Sequence, residues 1–524
     1  MKLAISLKSE NTNKAIIITS LLGLISKLFS FLQSVVITHS FGAEKGTDIL
    51  LYVLTFSITL TSFSTAISQL VIVPYAVNKR NKSEESSKVL LGNYYMINLV
   101  LGLGITLLLA LFPVQILSLV SKFSLQDLTY NLNMERIIVL NLVFLLLNSI
   151  IIDIFSSYRM FTLPSLCDML KSILIIVIVL LFHSSYSTLS FAAGILITNI
   201  LQFVYLNYLL VKKFNWKFRF RKFIFDSSIK NNITFVVIGQ IFTFLNSFVT
   251  MFLLSGFNEG VYSASNYSEQ INNIIMVAVV TQVSTVLGMD FIELYSKKLF
   301  SKLSEVFEEY SKVILFFVVF LCFVVSLNSD LIISVLFQRG KFGIEAVNMT
   351  GSFLRINVLI IPAIILNSLV TRLITAKQIQ GIGLFLQIGS NSLMSILVFV
   401  LMKFTGYTGY PLGRLITYYM FIFVPFLIMM RFQFSFIRYT AVLKFLSKNI
   451  IINLLISGLL YLPYNFLFKD VLGSFGIKFI YLAVNCLIYA GVFIAASFLI
   501  KDNRCILVKM FAFIKNRRKS QEVT

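Results

Sequence analysis

The chain has 524 residues, of which 58% are hydrophobic and 13% charged. Soluble domains carry roughly 25% charged residues, so this chain lacks the charge to cover a water-exposed surface, and its mean hydropathy of +0.89 excludes a soluble globular fold. A net charge of +22 would suit nucleic acid in a soluble protein, but here the basic residues sit in short segments between apolar runs, and no nucleic-acid partner is expected.

Apolar runs of about twenty residues recur along the chain, each long enough to cross a bilayer core of roughly 30 Å. Without water the backbone must bond to itself, so such spans are helices. The runs predict an all-α polytopic membrane protein with about fourteen transmembrane helices. They fall over residues 14–39, 48–77, 89–113, 135–157, 165–182, 188–211, 229–255, 263–289, 312–336, 346–374, 380–403, 409–430, 450–467 and 476–500, with ends uncertain by about 2–4 residues. Residues 1–13 are polar and the first apolar run is too long for a signal h-region, so it reads as a true first helix. The N-terminus, the loops after even-numbered helices and the tail hold roughly 32 of the basic residues, and the other loops about five; both termini are therefore expected in the cytoplasm. Asn78 to Lys82, Lys212 to Lys222 and Lys515 to Lys519 carry most of this bias. The segment 290–312 (DFIELYSKKLFSKLSEVFEEYSK) has helical spacing and mixed charge, and reads as a surface helix.

A faint repeat relates Ser34–Tyr52 to Ser247–Tyr267. Together with the spans it suggests two pseudo-symmetric bundles around a central cavity, residues 1–228 and 229–430, followed by a helix pair and basic tail over 431–524. Polar stripes mark four helices. Helix 1 carries Gly23, Lys27, Ser30, Ser34 and Thr38; helix 2 carries Asp48, Tyr52, Thr55, Thr59, Ser62, Thr65 and Gln69. Helix 7 carries Gln240, Thr243, Ser247 and Thr250; helix 8 carries Ser265, Glu269, Asn272 and Asn273 and continues to Gln282 and Thr285. Intramembrane polar residues face a bundle interior or a wet cavity, although Ser and Thr also serve helix packing. Lys27 lies mid-span, where a lysine costs roughly 2.5–3.5 kcal/mol on insertion scales. It is read as a cation for substrate phosphate, with Glu269 as a candidate partner in its absence. Asp48 opens helix 2, where a carboxylate also favours the helix dipole. Arg355 and Arg414 are further candidates, and Asp153 and Arg372 are placed at the interface.

No enzyme is indicated. Cys167, Cys322, Cys486 and Cys505 show no disulfide or zinc spacing, His39 and His183 lack metal partners in the pattern, and no phosphate-binding loop or nucleophile–base set occurs. No cofactor is expected; a sodium or proton gradient or the membrane potential would drive any transport cycle.

The runs Ile25-Ser26-Lys27-Leu28-Phe29, Phe41-Gly42-Ala43-Glu44-Lys45-Gly46-Thr47-Asp48, Gln69-Leu70-Val71-Ile72-Val73-Pro74 and Leu336-Phe337-Gln338-Arg339-Gly340-Lys341-Phe342 resemble, in order and spacing, the MurJ/MviN lipid II flippases. The resemblance implies the multidrug/oligosaccharidyl-lipid/polysaccharide exporter fold, a cavity lined by helices 1, 2, 7 and 8, a groove for the polyprenyl tail at helices 13 and 14, and a bacterial cytoplasmic membrane. It makes Lys27 the first basic cavity position and Asp48 the acidic turn position. Gln33, Thr61 and Ser268 stand where the family has arginines. The implied substrate is an undecaprenyl-pyrophosphate-linked glycan, either lipid II or a surface-polysaccharide repeat unit, moved by a monomer among membrane lipids. A cation-coupled drug or organic-cation antiporter of the same superfamily is the alternative.

Overall fold

The computed structural model describes residues 12–80, 83–160, 162–217, 227–277, 282–468 and 475–508. The 78–82 and 212–222 clusters lie partly, and the tail cluster wholly, outside the described residues. Among these the chain is helical throughout, with no strand. The long helices are α1 (Thr12–Phe41), α2 (Lys45–Arg80), α3 (Glu84–Leu111), α4 (Leu132–Ser157), α5 (Thr162–Tyr186), α6 (Thr188–Phe214) and α7 (Ser227–Leu254). They continue as α8 (Val261–Ile275 and Gln282–Ser296), α9 (Phe300–Leu327), α10 (Ile344–Lys377), α11 (Gln380–Thr405), α12 (Gly409–Phe423, extended by Pro425–Gln433), α13 (Tyr439–Phe468) and α14 (Phe475–Phe498). Each expected helix falls on one of these except 312–336, which runs past the end of α9 at Leu327 into a separate short helix, Ser329–Phe337. Among the described residues 11 stretches are long and apolar enough to cross a membrane; Gln380–Gln433 holds both α11 and α12, and α1 and α8 are not in this set.

The expected surface helix over 290–312 does not form as a unit. α8 ends at Ser296, the chain turns through Lys298 at φ 57°, and α9 starts at Phe300 and continues without a break into its apolar half. Part of the mixed charge is paired locally, Lys297 just past the end of α8 with Glu293 and Lys312 with Glu308 within α9.

The chain divides into two compact units. The first comprises residues up to Ile274 with Arg339–Met349 and Gln387–Tyr410; the second comprises Ile275–Gln338, Thr350–Leu386 and the remainder from Pro411. In the first, α4 is the pillar: it packs on α2, α3 and α6, and Leu147, Ile150, Ile151 and Phe155 are buried against Leu90, Leu206, Leu210 and Trp216. Phe155 meets Phe214 at 5.9 Å between ring centres, and Tyr158 meets the same ring at 4.2 Å. Arg80, at the end of α2, donates to the Ser157 carbonyl at 2.6 Å and the Ser157 hydroxyl at 2.9 Å, and its guanidinium lies 3.6 Å from the Tyr158 ring centre. In the second unit α9 is central, packing on α13 and α10. Phe307, Leu315, Phe316, Val319 and Cys322 are fully or almost fully buried. A helix apolar on all sides is thus a core element here rather than a lipid-facing one, as all-round apolarity allows.

Phe155→Ala removes a buried ring from the α4 pillar. It should lower stability by about 3–5 kcal/mol, read as a fall in the melting temperature of detergent-purified protein.

Candidate functional site

The stripe on α1 divides in two. Ser26, Ser34 and Thr38 are buried, and the Ser30 hydroxyl lies 3.3 Å from that of Ser172 on α5. Ser30, Ser34 and Thr38 also donate to carbonyls of their own helix, at Ser26, Ser30 and Val35. These hydroxyls serve helix packing. Lys27 is different. It is exposed, and it has no hydrogen-bond or ion-pair partner among the described residues. Gln33 is half-buried on the same helix.

On α2, Thr55, Thr59 and Ser62 are half-buried and donate to Leu51, Thr55 and Thr59 carbonyls at 2.7, 2.8 and 2.7 Å. Back-bonding of this kind uses the proton of each hydroxyl and leaves its lone pairs free to accept. α7 packs on α2, with Phe63 and Phe244 rings 5.5 Å apart. The other side of α7 meets α11 through polar contacts: Thr243 accepts from Gln387 and Asn391, and Ser395 donates to Asn246.

Asp48 is 2% exposed and does not cap its own helix. Its Oδ2 accepts the Gly260 amide and its Oδ1 the Ser263 amide, both at 2.8 Å. It therefore caps the start of α8 from a helix about 215 residues earlier in the chain, satisfying amides that a helix N-terminus leaves free. The surrounding turns interlock. The Lys45 amide donates to Glu259 at 2.7 Å, the Tyr267 hydroxyl to the Gly42 carbonyl at 2.9 Å, and the Lys341 amide to the His39 carbonyl at 3.2 Å. Lys341 pairs with Glu44 at 3.0 Å. Gly42 and Gly260 adopt φ of 64° and 85°. A Cβ on either would stand 2.7 Å from a carbonyl oxygen, of Lys341 and Ala43 respectively, so both the left-handed backbone and the close approach require glycine. The segments that carry the family resemblance, 41–48 and 339–342, thus meet one copy of the internal repeat in a single structural knot.

Farther along α8, Ser268 is fully buried and Asn272 is 6% exposed, its Oδ1 without a partner among the described residues. Glu269 is half-buried and accepts from the Tyr410 hydroxyl at 3.4 Å. The Lys27–Glu269 pair weighed from the sequence does not form. Arg355 pairs with Asp330 at 2.5 Å and reaches the Ser329 hydroxyl. Arg414, inside the helix Gly409–Phe423, reaches Asn357 at 3.5 Å. Lys27, Gln33, Asp48, Thr55, Thr59, Ser62, Ser268, Glu269 and Asn272 belong to the first unit; Arg355 and Arg414 belong to the second.

Two polar groupings escaped the sequence reading. Lys171 on α5 donates to Asn199 at 3.2 Å, and Asn199 donates to Asn141 at 2.7 Å. Asp153, placed at the interface from the sequence, is 5% exposed and accepts from Gln69. The signal was present as polar residues at 141, 148, 149 and 153, whose spacing follows the turns of α4.

Solved transporters share this architecture. An inward-facing multidrug resistance MATE family transporter of the MOP superfamily superposes with a TM-score of 0.63 at 14% identity, covering 82% of this chain and 99% of that chain. The fold is that of a polytopic MOP-type transporter. A structure described as lipid II flippase MurJ, inward closed conformation, superposes with a TM-score of 0.72 at 19% identity, covering 91% of this chain and 98% of that chain. The family model "Lipid II flippase MurJ" matches residues 37–481, and the chain belongs to that family. A curated relative, the probable lipid II flippase MurJ of Borreliella burgdorferi (strain ATCC 35210 / DSM 4680 / CIP 102532 / B31), is 24% identical over 359 residues, 65% of this chain and 68% of the relative.

Asp48→Ala leaves two amides at the start of α8 without their acceptor and should cost about 1–3 kcal/mol. Asp48→Asn keeps one acceptor oxygen and should lose less. Thermal unfolding of the two purified variants checks the order.

Proposed function

We propose that the protein flips an undecaprenyl-pyrophosphate-linked glycan, in the first instance lipid II, from the cytoplasmic to the outer leaflet of a bacterial cytoplasmic membrane. The observation that carries this reading is Lys27: an exposed cation in the middle of the apolar helix α1, with no partner among the described residues. Such a residue calls for a polar pathway or an anionic ligand, and a pyrophosphate supplies the anion. The Gln33 amide on the same helix can donate to phosphate oxygens, and the lone pairs of Thr55, Thr59 and Ser62 on α2 can accept from sugar hydroxyls of such a headgroup. Membership of the MurJ family supports the same substrate class.

Alternating access would move the headgroup through a polar cavity while the polyprenyl tail stays in lipid. In this reading residues 1–228 and 229–430 act as the two lobes of a monomer, 431–524 adds the last helix pair, and both termini lie in the cytoplasm. A sodium or proton gradient or the membrane potential acting on Lys27 would drive the cycle. One observation favours a related substrate, a surface-polysaccharide repeat unit on the same carrier. The positions where the family has arginines hold Gln33, Thr61 and Ser268, and the last two are buried.

In proteoliposomes loaded with purified lipid II, Lys27→Ala should abolish flipping while the amount of folded protein stays unchanged, and Lys27→Arg should retain most of it. Full flipping by Lys27→Ala would remove the role assigned to Lys27. Flipping of a polysaccharide repeat but not of lipid II would select the second substrate.

A further inference from the structure

The first unit contains a buried carboxylate for which the flipping reading has no use. Asp153 lies on α4 one turn before the helix ends at Ser157, and it is 5% exposed. Its Oδ1 accepts from Gln69 Nε2 at 3.2 Å, and its Oδ2 has no partner among the described residues. None of the neighbouring cations pairs with it. Arg80, from α2, is held by Ser157 and the Tyr158 ring. Lys213, from α6, reaches the Met160 sulfur at 3.2 Å, and at the start of α3 Lys88 is paired with Glu84. From α3 the titratable group on this side is Tyr94, whose hydroxyl donates to the Ser64 carbonyl at 2.6 Å.

A second observation points to the same place. Gln69 lies in a π-helical turn, Ser68–Ile72, within α2. Such turns interrupt the regular backbone ladder and recur at functional sites. Here the Ser64 carbonyl accepts both the Ser68 amide and the Tyr94 hydroxyl, and Thr65 on the same turn touches Ser149 of α4 at 3.3 Å. The polar side chains at the carboxyl are the Gln69 amide and the Ser68 hydroxyl, the first two residues of that π turn. Burying an unpaired charge is costly, and a bound proton removes that charge while adding a donor.

We propose that Asp153 is a proton-binding site, taking up a proton on Oδ2 from the aqueous phase at the Ser157 end of α4 and releasing it by the same route, with Gln69 on the π turn of α2 sensing the change. α2 also carries Thr55, Thr59 and Ser62, so a change in its winding would turn those hydroxyls. The link to transport rests on the flipping reading; the protonation does not.

Infrared difference spectra of the purified full-length protein, titrated in sodium-free buffer, test it without any substrate. The wild type should show a protonated-carboxyl stretch that titrates, and Asp153→Asn should lose that component while the one from Glu135, buried at the opposite end of α4, remains. Gln69→Ala removes an amide that favours the charged form, so the midpoint should move to higher pH; this variant also serves if Asp153→Asn fails to fold. An unchanged titration in both variants overturns the proposal, as does suppression of the band by sodium at constant pH, which would make the site a sodium site. In proteoliposomes, Asp153→Asn should flip with a rate that no longer depends on pH; a pH dependence equal to that of the wild type would sever the link to transport.

Discussion

The start of a helix presents amides that the helix itself cannot satisfy. At α8 the missing acceptor comes from Asp48 on α2, through two short charge-assisted bonds. That one carboxylate fixes where α8 begins relative to α2 and brings the turn after α7 against the turn after α1. The Tyr267–Gly42 and Lys45–Glu259 bonds close the same junction from either side, and the 339–342 segment is laid over it by the Lys341 amide. Removing Asp48 would leave buried donors unsatisfied, which costs more than the bonds contribute on balance.

A different economy governs the hydroxyl stripes. In a span, serine and threonine can return their proton to a carbonyl one turn back, so they are tolerated whether they face lipid, protein or water. Ser30 and Ser34 do this at a helix contact, and Thr55 and Thr59 do it on a half-buried face. The same local bond therefore accompanies opposite surroundings. Lysine cannot bond in this way, which is why Lys27 carries more information about an aqueous pathway than four hydroxyls together.

The helices were legible because hydropathy and loop charge both report the bilayer, a constraint that acts residue by residue. Contacts between distant segments were not. Asp48 looked like a local cap or a cavity acid, and nothing in its own neighbourhood announces Gly260 and Ser263 as its partners. The repeat around Gly42 and Gly256–Tyr267 was the available hint that the two turns meet. Asp153 was misplaced because a carboxylate one turn from a helix end reads as interfacial, whereas packing of α2, α3 and α6 around α4 buries it. The amphipathic run 290–312 was read as one helix because periodicity is blind to a single left-handed residue such as Lys298.

Arg80 shows how two constraints can fall on one side chain. By charge it belongs to the basic cluster from which the sequence reading expected a cytoplasmic loop. By geometry it is a clasp, with its guanidinium stacked on Tyr158 and bonded to both oxygens of Ser157. Lysine keeps the charge but loses the planar fork. The pin is therefore specific to arginine at this position, since a lysine could supply the charge but not the stacked, two-point clasp.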